Sequence, residues 1–169
     1  MDDVVAEQAV AAVAVIEVGR KLDCSVLVLQ RVVHPEDPWS GQLAFPGGRK
    51  EVSDENLFAT CLRETREECG IELQASELVK PLPASYAGRV ANRLTLVQPY
   101  YFRREIAPKI ELQQTEMRAY FWLPLQYFLD VDQHETSEIA AGRIFPCIRV
   151  EGWPLWGFTY EVLRSLYLP

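Results

Sequence analysis

Residues 41–71 read GQLAFPGGRKEVSDENLFATCLRETREECGI. A short apolar strand at 43–45 runs into a Pro-Gly-Gly turn, and a polar loop leads from there into a helical stretch. Ser53 or Asp54 can cap the start of that helix, and Gly70 stands where a left-handed terminal glycine belongs. The spacing therefore predicts a helix over about 54–69. At about 100° per residue, Glu64, Glu67 and Glu68 share one arc, while Phe58, Leu62, Thr65 and Cys69 form a second face, the predicted core contact. The acids lie in the last two turns, where the helix dipole disfavours anions, and Glu64 repels Glu68 four residues on. Arg63 lies beside Glu67 and offsets part of this charge, whereas Arg66 points away. One reading is a solvated acidic face. The other is a hard divalent cation, Mg2+ or Mn2+, held by oxygen ligands. The neighbouring glycines favour the cation, because they let backbone groups approach a metal or phosphate closely.

The run Arg63-Glu64-Thr65-Arg66-Glu67-Glu68-Cys69-Gly70-Ile71 resembles the second half of the Nudix box, REUxEExGU, with Thr65 in the apolar position. The first half, Gly-x5-Glu, is out of step. Counting back from Arg63 puts Glu55 on the family glutamate but Arg49 on the family glycine, with Gly48 displaced by one residue. With Gly41-x3-Phe45-Pro46-Gly47-Gly48, this spacing is similar to the coenzyme A pyrophosphatase branch of the Nudix hydrolases, in which GxxxFPGG precedes the box. Leu155-Trp156-Gly157-Phe158-Thr159 resembles the end of that branch, where Trp-Gly-x-Thr opens the last helix. Asp37 stands where the branch pattern carries an arginine.

At 169 residues the chain reads as a single domain over 1–169, long enough for a sizeable core. Hydrophobic residues at 49% and charged residues at 24% are ordinary for a globular protein. A formal net charge of −7 argues against a nucleic-acid partner, since no basic stripe is available to neutralise a phosphate backbone. Cys24, Cys61, Cys69 and Cys147 show no zinc spacing and read as buried or free thiols. The opening Met1-Asp2-Asp3 is unlike a signal peptide, and no apolar run reaches about 18 residues. The expectation is a cytoplasmic protein with no membrane partner.

Strands are expected at 10–18 and 24–31, the second continuous enough to be buried on both faces. The proline-bearing segment 34–40 is a loop. Residues 77–87 form a strand broken by Pro81 and Pro83, and clearer strands occupy 94–102 and 119–123. A short helix at 125–129, a loop at 130–142, a strand at 143–150 and a helix at 157–168 complete the chain. Mixed strands with helices on either side point to an α/β fold, an α/β/α sandwich around a mixed sheet, in agreement with what the resemblance implies.

The resemblance also implies hydrolysis of a nucleoside diphosphate linked to another group, with water attacking one phosphorus and metal neutralising the diphosphate oxygens. On that footing Glu64, Glu67 and Glu68 are metal ligands and catalytic residues, with the carbonyl of Gly47 or Gly48 completing the sphere. Arg63 orients the carboxylates, paired with Glu67 or Glu55. The candidate substrate contacts are Arg31, Trp39, Phe45, Gly47, Gly48 and Arg89, with Trp39 either stacking on a base or covering the core edge. The general base is a box glutamate or one of Glu116, Glu135 and Glu138. His34 and His134 read as surface residues. The substrate is coenzyme A or a derivative, or alternatively ADP-ribose, a nucleotide sugar or a dinucleotide. A Nudix-shaped nucleotide-binding module without hydrolysis is a third reading, and the presence of all three box glutamates stands against it. Many relatives form homodimers, but nothing in this sequence defines an interface.

Overall fold

The structure is a computed structural model describing residues 9–37, 40–89, 93–140 and 142–168. Its centre is a pair of strands, β1 (Ala11–Arg20) and β2 (Asp23–Arg31), buried along most of both faces. They pair antiparallel only near their turn, from Arg20↔Asp23 to Glu17↔Val26. Beyond that point they diverge. Into the opening fit β3 (Leu43–Ala44), paired with Leu29 and Gln30, and β4 (Gly47–Arg49), paired with Ala11, Ala12 and Val13. The Ala14 N–H donates to the Pro46 carbonyl at 2.8 Å and closes the wedge. On the far side of β1 runs β7 (Thr95–Arg104), parallel to it, with β5 (Leu78–Pro81) and β6 (Ser85–Ala87) antiparallel to β7. β8 (Met117–Pro124) flanks β2 antiparallel and completes a mixed eight-stranded sheet.

Alternation along the two central strands builds two cores. Ala12, Ala14, Ile16, Leu27 and Leu29 face α1 (Leu57–Cys69) and pack with Cys61, Cys69, Ile71 and Phe102. Val15, Val26 and Val28 face the other way, under α2 (Leu125–Leu129), α3 (Gly157–Tyr167) and a small antiparallel sheet. That sheet consists of β9 (His134–Ala140), β10 (Arg143–Val150) and β11 (Trp153–Trp156), in the order β11-β10-β9. The mixed α/β sandwich is as expected. All four cysteines are buried and free, and among the described residues no helix is long and apolar enough to cross a membrane.

Three local expectations need correction. The cap of α1 is Asn56, whose Oδ1 accepts from the Ala59 N–H at 2.9 Å; Ser53 and Asp54 lie before it, and Asp54 is occupied elsewhere. The far end agrees: Gly70 has φ 72° and donates to the Arg66 carbonyl at 2.9 Å. Within the expected loop at 130–142, the residues up to Ala140 are not a loop, because a short 3-10 turn at Val131–Gln133 leads into β9, whose polar residues pair with β10. Strand pairing uses the backbone, so a ribbon with one wet face needs no apolar periodicity. His134 is not a surface residue either. One ring nitrogen, Nε2, lies 2.7 Å from the Phe128 carbonyl, which can only accept, so Nδ1 accepts from the Tyr160 hydroxyl at 2.8 Å. The ring sits against Phe128 and Tyr160 and ties β9 to α2 and α3.

Candidate active site

Arg63 is the hub of the site. Its Nε and Nη2 donate to the two oxygens of Asp54, each at 2.9 Å, and its Nη1 reaches Glu64 at 2.9 Å and Glu67 at 3.0 Å. Nη2 also donates to the Arg49 carbonyl at 3.2 Å, which ties the helix back to β4. Asp54 additionally accepts from the Thr60 hydroxyl at 2.9 Å and the Glu51 N–H at 2.8 Å. The hydrogen bonds from Arg63, with those from the Glu51 amide and Thr60, hold the Asp54 carboxyl well below the usual carboxylate range. A planar fork gripping a carboxylate on two atoms is the strongest form of this pairing. Of the two partners expected for Arg63, Glu67 is paired with it, whereas Glu55 is exposed. The loop after Gly48 is one residue out of register with the box, α1 begins only at Leu57, and Asp54 falls into the seat facing Arg63.

The other half of the site joins α1 to the Pro-Gly-Gly turn. The Gly47 N–H donates to Glu68 Oε2 at 2.8 Å, and Glu68 is only 3% exposed. Burial pushes the Glu68 carboxyl up to about 8 despite that hydrogen bond, with the charges of Glu64 and Glu116 adding to the rise and Arg31 opposing it. Glu64 is also raised, chiefly by burial, against the pull of Arg63. Gly47 has φ 152°, and a Cβ there would stand 2.2 Å from the Ala12 carbonyl oxygen, so the close approach to β1 requires glycine. A Cβ on Gly48 would instead stand 2.6–2.8 Å from the Glu64 carboxyl. The backbone at Gly48 is thus pressed against one box glutamate while its neighbour holds another.

Glu67 is turned outward, half exposed and paired with Arg63, rather than gathered with Glu64 and Glu68. Among the described residues no three His, Cys, Asp or Glu side chains converge closely enough to enclose an ion unaided. The donor set nevertheless fits a hard divalent cation. It offers carboxylate and carbonyl oxygens only, and two of its carboxylates are desolvated more than Arg63, Arg31 and the Gly47 N–H offset. An ion such as Mg2+ habitually completes its sphere with water and substrate phosphate.

Of the expected substrate contacts, Arg31 closes β2 beside the cluster, its Nη1 3.9 Å from Glu68 Oε1. Its Nε and Nη2 are each 3.1 Å from Asp37 Oδ2, so the residue that departs from the branch pattern anchors this arginine. Phe45 does not face a ligand: it is 3% exposed and packed with Val15, Val28 and Leu155, because the wedge of β3 carries it into the core. Arg89 is exposed in the turn after β6, and Trp39 lies outside the described residues. Among the candidate bases, Glu116 is the one whose charge is felt at both Glu64 and Glu68. Glu135 is bound to Arg149 at 2.7 Å on the β9–β10 ribbon, and Glu138 lies on the same ribbon opposite Ile144. In sequence Asp54 stands only as a cap candidate, and Thr60 is not singled out. The available signal was an acid nine positions before Arg63, next to the Glu55 that the box spacing favoured.

The model of the NUDIX domain family matches residues 7–145. A Schizosaccharomyces pombe protein described as uncharacterized protein C14C4.10c is 32% identical over 128 residues, covering 70% of this chain but only 37% of that protein. The chain thus spans little more than a third of this relative. An uncharacterized Nudix hydrolase NudL of Salmonella paratyphi B is 29% identical over 163 residues, 93% of this chain and 81% of its own. Among solved structures, the NUDIX domain of Shewanella oneidensis NrtR, complexed with ADP ribose, matches with a TM-score of 0.59 at 22% identity, over 72% of this chain and 76% of that one.

Proposed function

The chain belongs to the NUDIX domain family, and from that premise we propose that it is a Nudix pyrophosphohydrolase that cleaves the diphosphate bond of a nucleoside diphosphate linked to a second moiety, with coenzyme A or a derivative as substrate. The observation that carries the reading is the pair of desolvated carboxylates, Glu64 and Glu68, set against Gly47 and Gly48 and steadied by Arg63. Glu64, Glu67 and Glu68, with the carbonyl of Gly48, would hold Mg2+ or Mn2+. Such an ion neutralises diphosphate oxygens and lowers the pKa of a bound water. Arg63 fixes Glu64 and Glu67 in place, the Gly47 amide aims Glu68, and Arg31 offers its guanidinium to a substrate phosphate. Glu116 is the proposed proton acceptor for the attacking water, since its charge is felt at both Glu64 and Glu68, which sets it beside the cluster.

Asp37 favours a second reading on substrate. By occupying Arg31 and replacing the arginine of the coenzyme A pattern, it leaves room for ADP-ribose, a nucleotide sugar or a dinucleotide. The solved NrtR domain in complex with ADP ribose is compatible with that choice. Turnover of coenzyme A, ADP-ribose, NADH and a dinucleoside polyphosphate with Mg2+ and with Mn2+ separates the two. Glu67→Gln should lower turnover by at least about 100-fold with the fold intact. No phosphate-ester product from any of these substrates with Mn2+ would leave only the binding-module reading.

A further inference from the structure

We propose that Arg118 and Trp153 form the surface on which the nucleobase of the diphosphate substrate stacks, a specificity site separate from the acid cluster; this rests on the hydrolase reading above. The register of β8 points to it. β2 and β8 pair regularly from Ser25↔Pro124 to Gln30↔Ala119, and then one residue is skipped so that Arg31 faces Met117. The skipped residue is Arg118, and a bulge of this kind re-aims a side chain. Met117 stays buried in the core beneath α1, while the Arg118 guanidinium lies over the ring of Trp153, 5.6 Å from its centroid. Trp153 is 38% exposed on β11, and among the described residues Arg118 has no ion-pair partner. An open indole joined by an unpaired, planar cation suits a flat heterocycle attached to phosphate, since rings stack on both groups and the charge meets the anion.

The position suits the chemistry. Arg118 is two residues beyond Glu116, whose charge is felt at Glu64 and Glu68, and next to Met117, which faces Arg31. Two residues of strand span roughly 7 Å, the scale on which a nucleoside extends from its diphosphate. Gln30 adds an independent mark. It lies in the row between Leu43 and Ala119, is 2% exposed, and its Nε2 has no hydrogen-bond partner among the described residues. Leu43 packs in the same cluster as Leu155 of β11, so this row faces the side on which Trp153 stands. A buried donor without an acceptor is rare and marks a place where a polar ligand atom or a water belongs. Further along β8, on the side away from Glu116, lies a groove of about 670 Å³ whose lining includes Tyr120, Trp122, Tyr127, Arg149 and Gly152, the residue before Trp153.

The test is binding of AMP against ribose 5-phosphate, which lacks the base, by calorimetry on the full chain, with turnover measured in parallel. Wild type should bind AMP at least about tenfold tighter than ribose 5-phosphate. Trp153→Ala and Arg118→Ala should each remove most of that preference, and Trp153→Phe should retain it. Gln30→Leu should weaken AMP while leaving the melting temperature unchanged or higher, which a purely structural glutamine would not do. On the preferred diphosphate substrate the alanine variants should raise KM about tenfold with kcat within about threefold. An equal preference for AMP in wild type, Trp153→Ala and Arg118→Ala, or none in wild type, overturns the proposal. A protein that cleaves no diphosphate yet shows the base preference lost in these variants refutes the hydrolase reading and leaves the stacking surface standing.

Discussion

Replacing Gly48 by alanine isolates the contact between the turn and the box helix. The new Cβ would stand 2.6 Å from Glu64 Cδ and 2.7–2.8 Å from its two oxygens, whereas ordinary contact begins near 3.4 Å. The Glu64 carboxyl must therefore withdraw by about 0.8 Å. It can do so cheaply, because it is the far end of a flexible side chain, but its 2.9 Å link to Arg63 and its place beside the turn move with it. Misplacement of a catalytic group by about 1 Å costs up to about 100-fold in rate. The expected loss in kcat/KM is about 10- to 100-fold, or about 1.4–2.7 kcal/mol of transition-state stabilisation. The metal-free melting temperature should stay within about 3 °C of wild type. Gly47→Ala is the contrasting control: its Cβ meets backbone, the Ala12 carbonyl oxygen at 2.2 Å, at φ 152°, so that variant should lose several degrees of stability outright. Steady-state kinetics on the preferred substrate and calorimetric melting of both variants decide the matter. Wild-type kcat/KM in Gly48→Ala, or a collapse of its melting temperature like that of Gly47→Ala, would refute the reasoning.

Asp54→Asn should impair turnover severely and lower the melting temperature, while Glu55→Gln should leave both near wild type; the reverse ranking would return the role to the residue that the box spacing favours. In metal-free protein Glu68 titrates near 8 against 4.5 in the unfolded chain, so the folded state holds the extra proton between those values. Its contribution to stability is therefore full below about pH 4.5, falls by up to about 1.4 kcal/mol per pH unit as pH rises, and levels off above about pH 8. Melting curves of wild type against Glu68→Gln over pH 5–9 should diverge with that slope, and parallel curves would contradict the burial argument. Millimolar Mn2+ should raise the melting temperature at pH 8 by about 3–6 °C for a dissociation constant near 0.1 mM, with the gain largely absent in Glu68→Gln.

Much of this fold is written in local pattern. The apolar runs of the first two strands, the stop at Gly70, the helix over 157–168 and the broken strand around Pro81 and Pro83 each follow from the periodicity or conformational limits of a few adjacent residues. What failed did so where a residue's role depends on a distant partner. Asp130 to Gly142 lacks apolar alternation, yet β10 supplies the pairing that makes most of it a strand. His134 has no ligand-like neighbour in sequence, yet Tyr160 and the Phe128 carbonyl enclose it.

The sequence by itself determined the chemical inventory: three glutamates on one helix, an arginine among them, and glycines ahead of them, because helical spacing and glycine's freedom are properties of short segments. Only the tertiary structure decided which groups meet. Divergence of β1 from β2 admits the turn that buries Glu68 and carries Phe45 inward, and the extra loop residue brings Asp54 rather than Glu55 to Arg63. A bulge in β8 turns Arg118 onto Trp153. Register, burial and through-space charge are set by elements far apart in the chain, and no local window contains them.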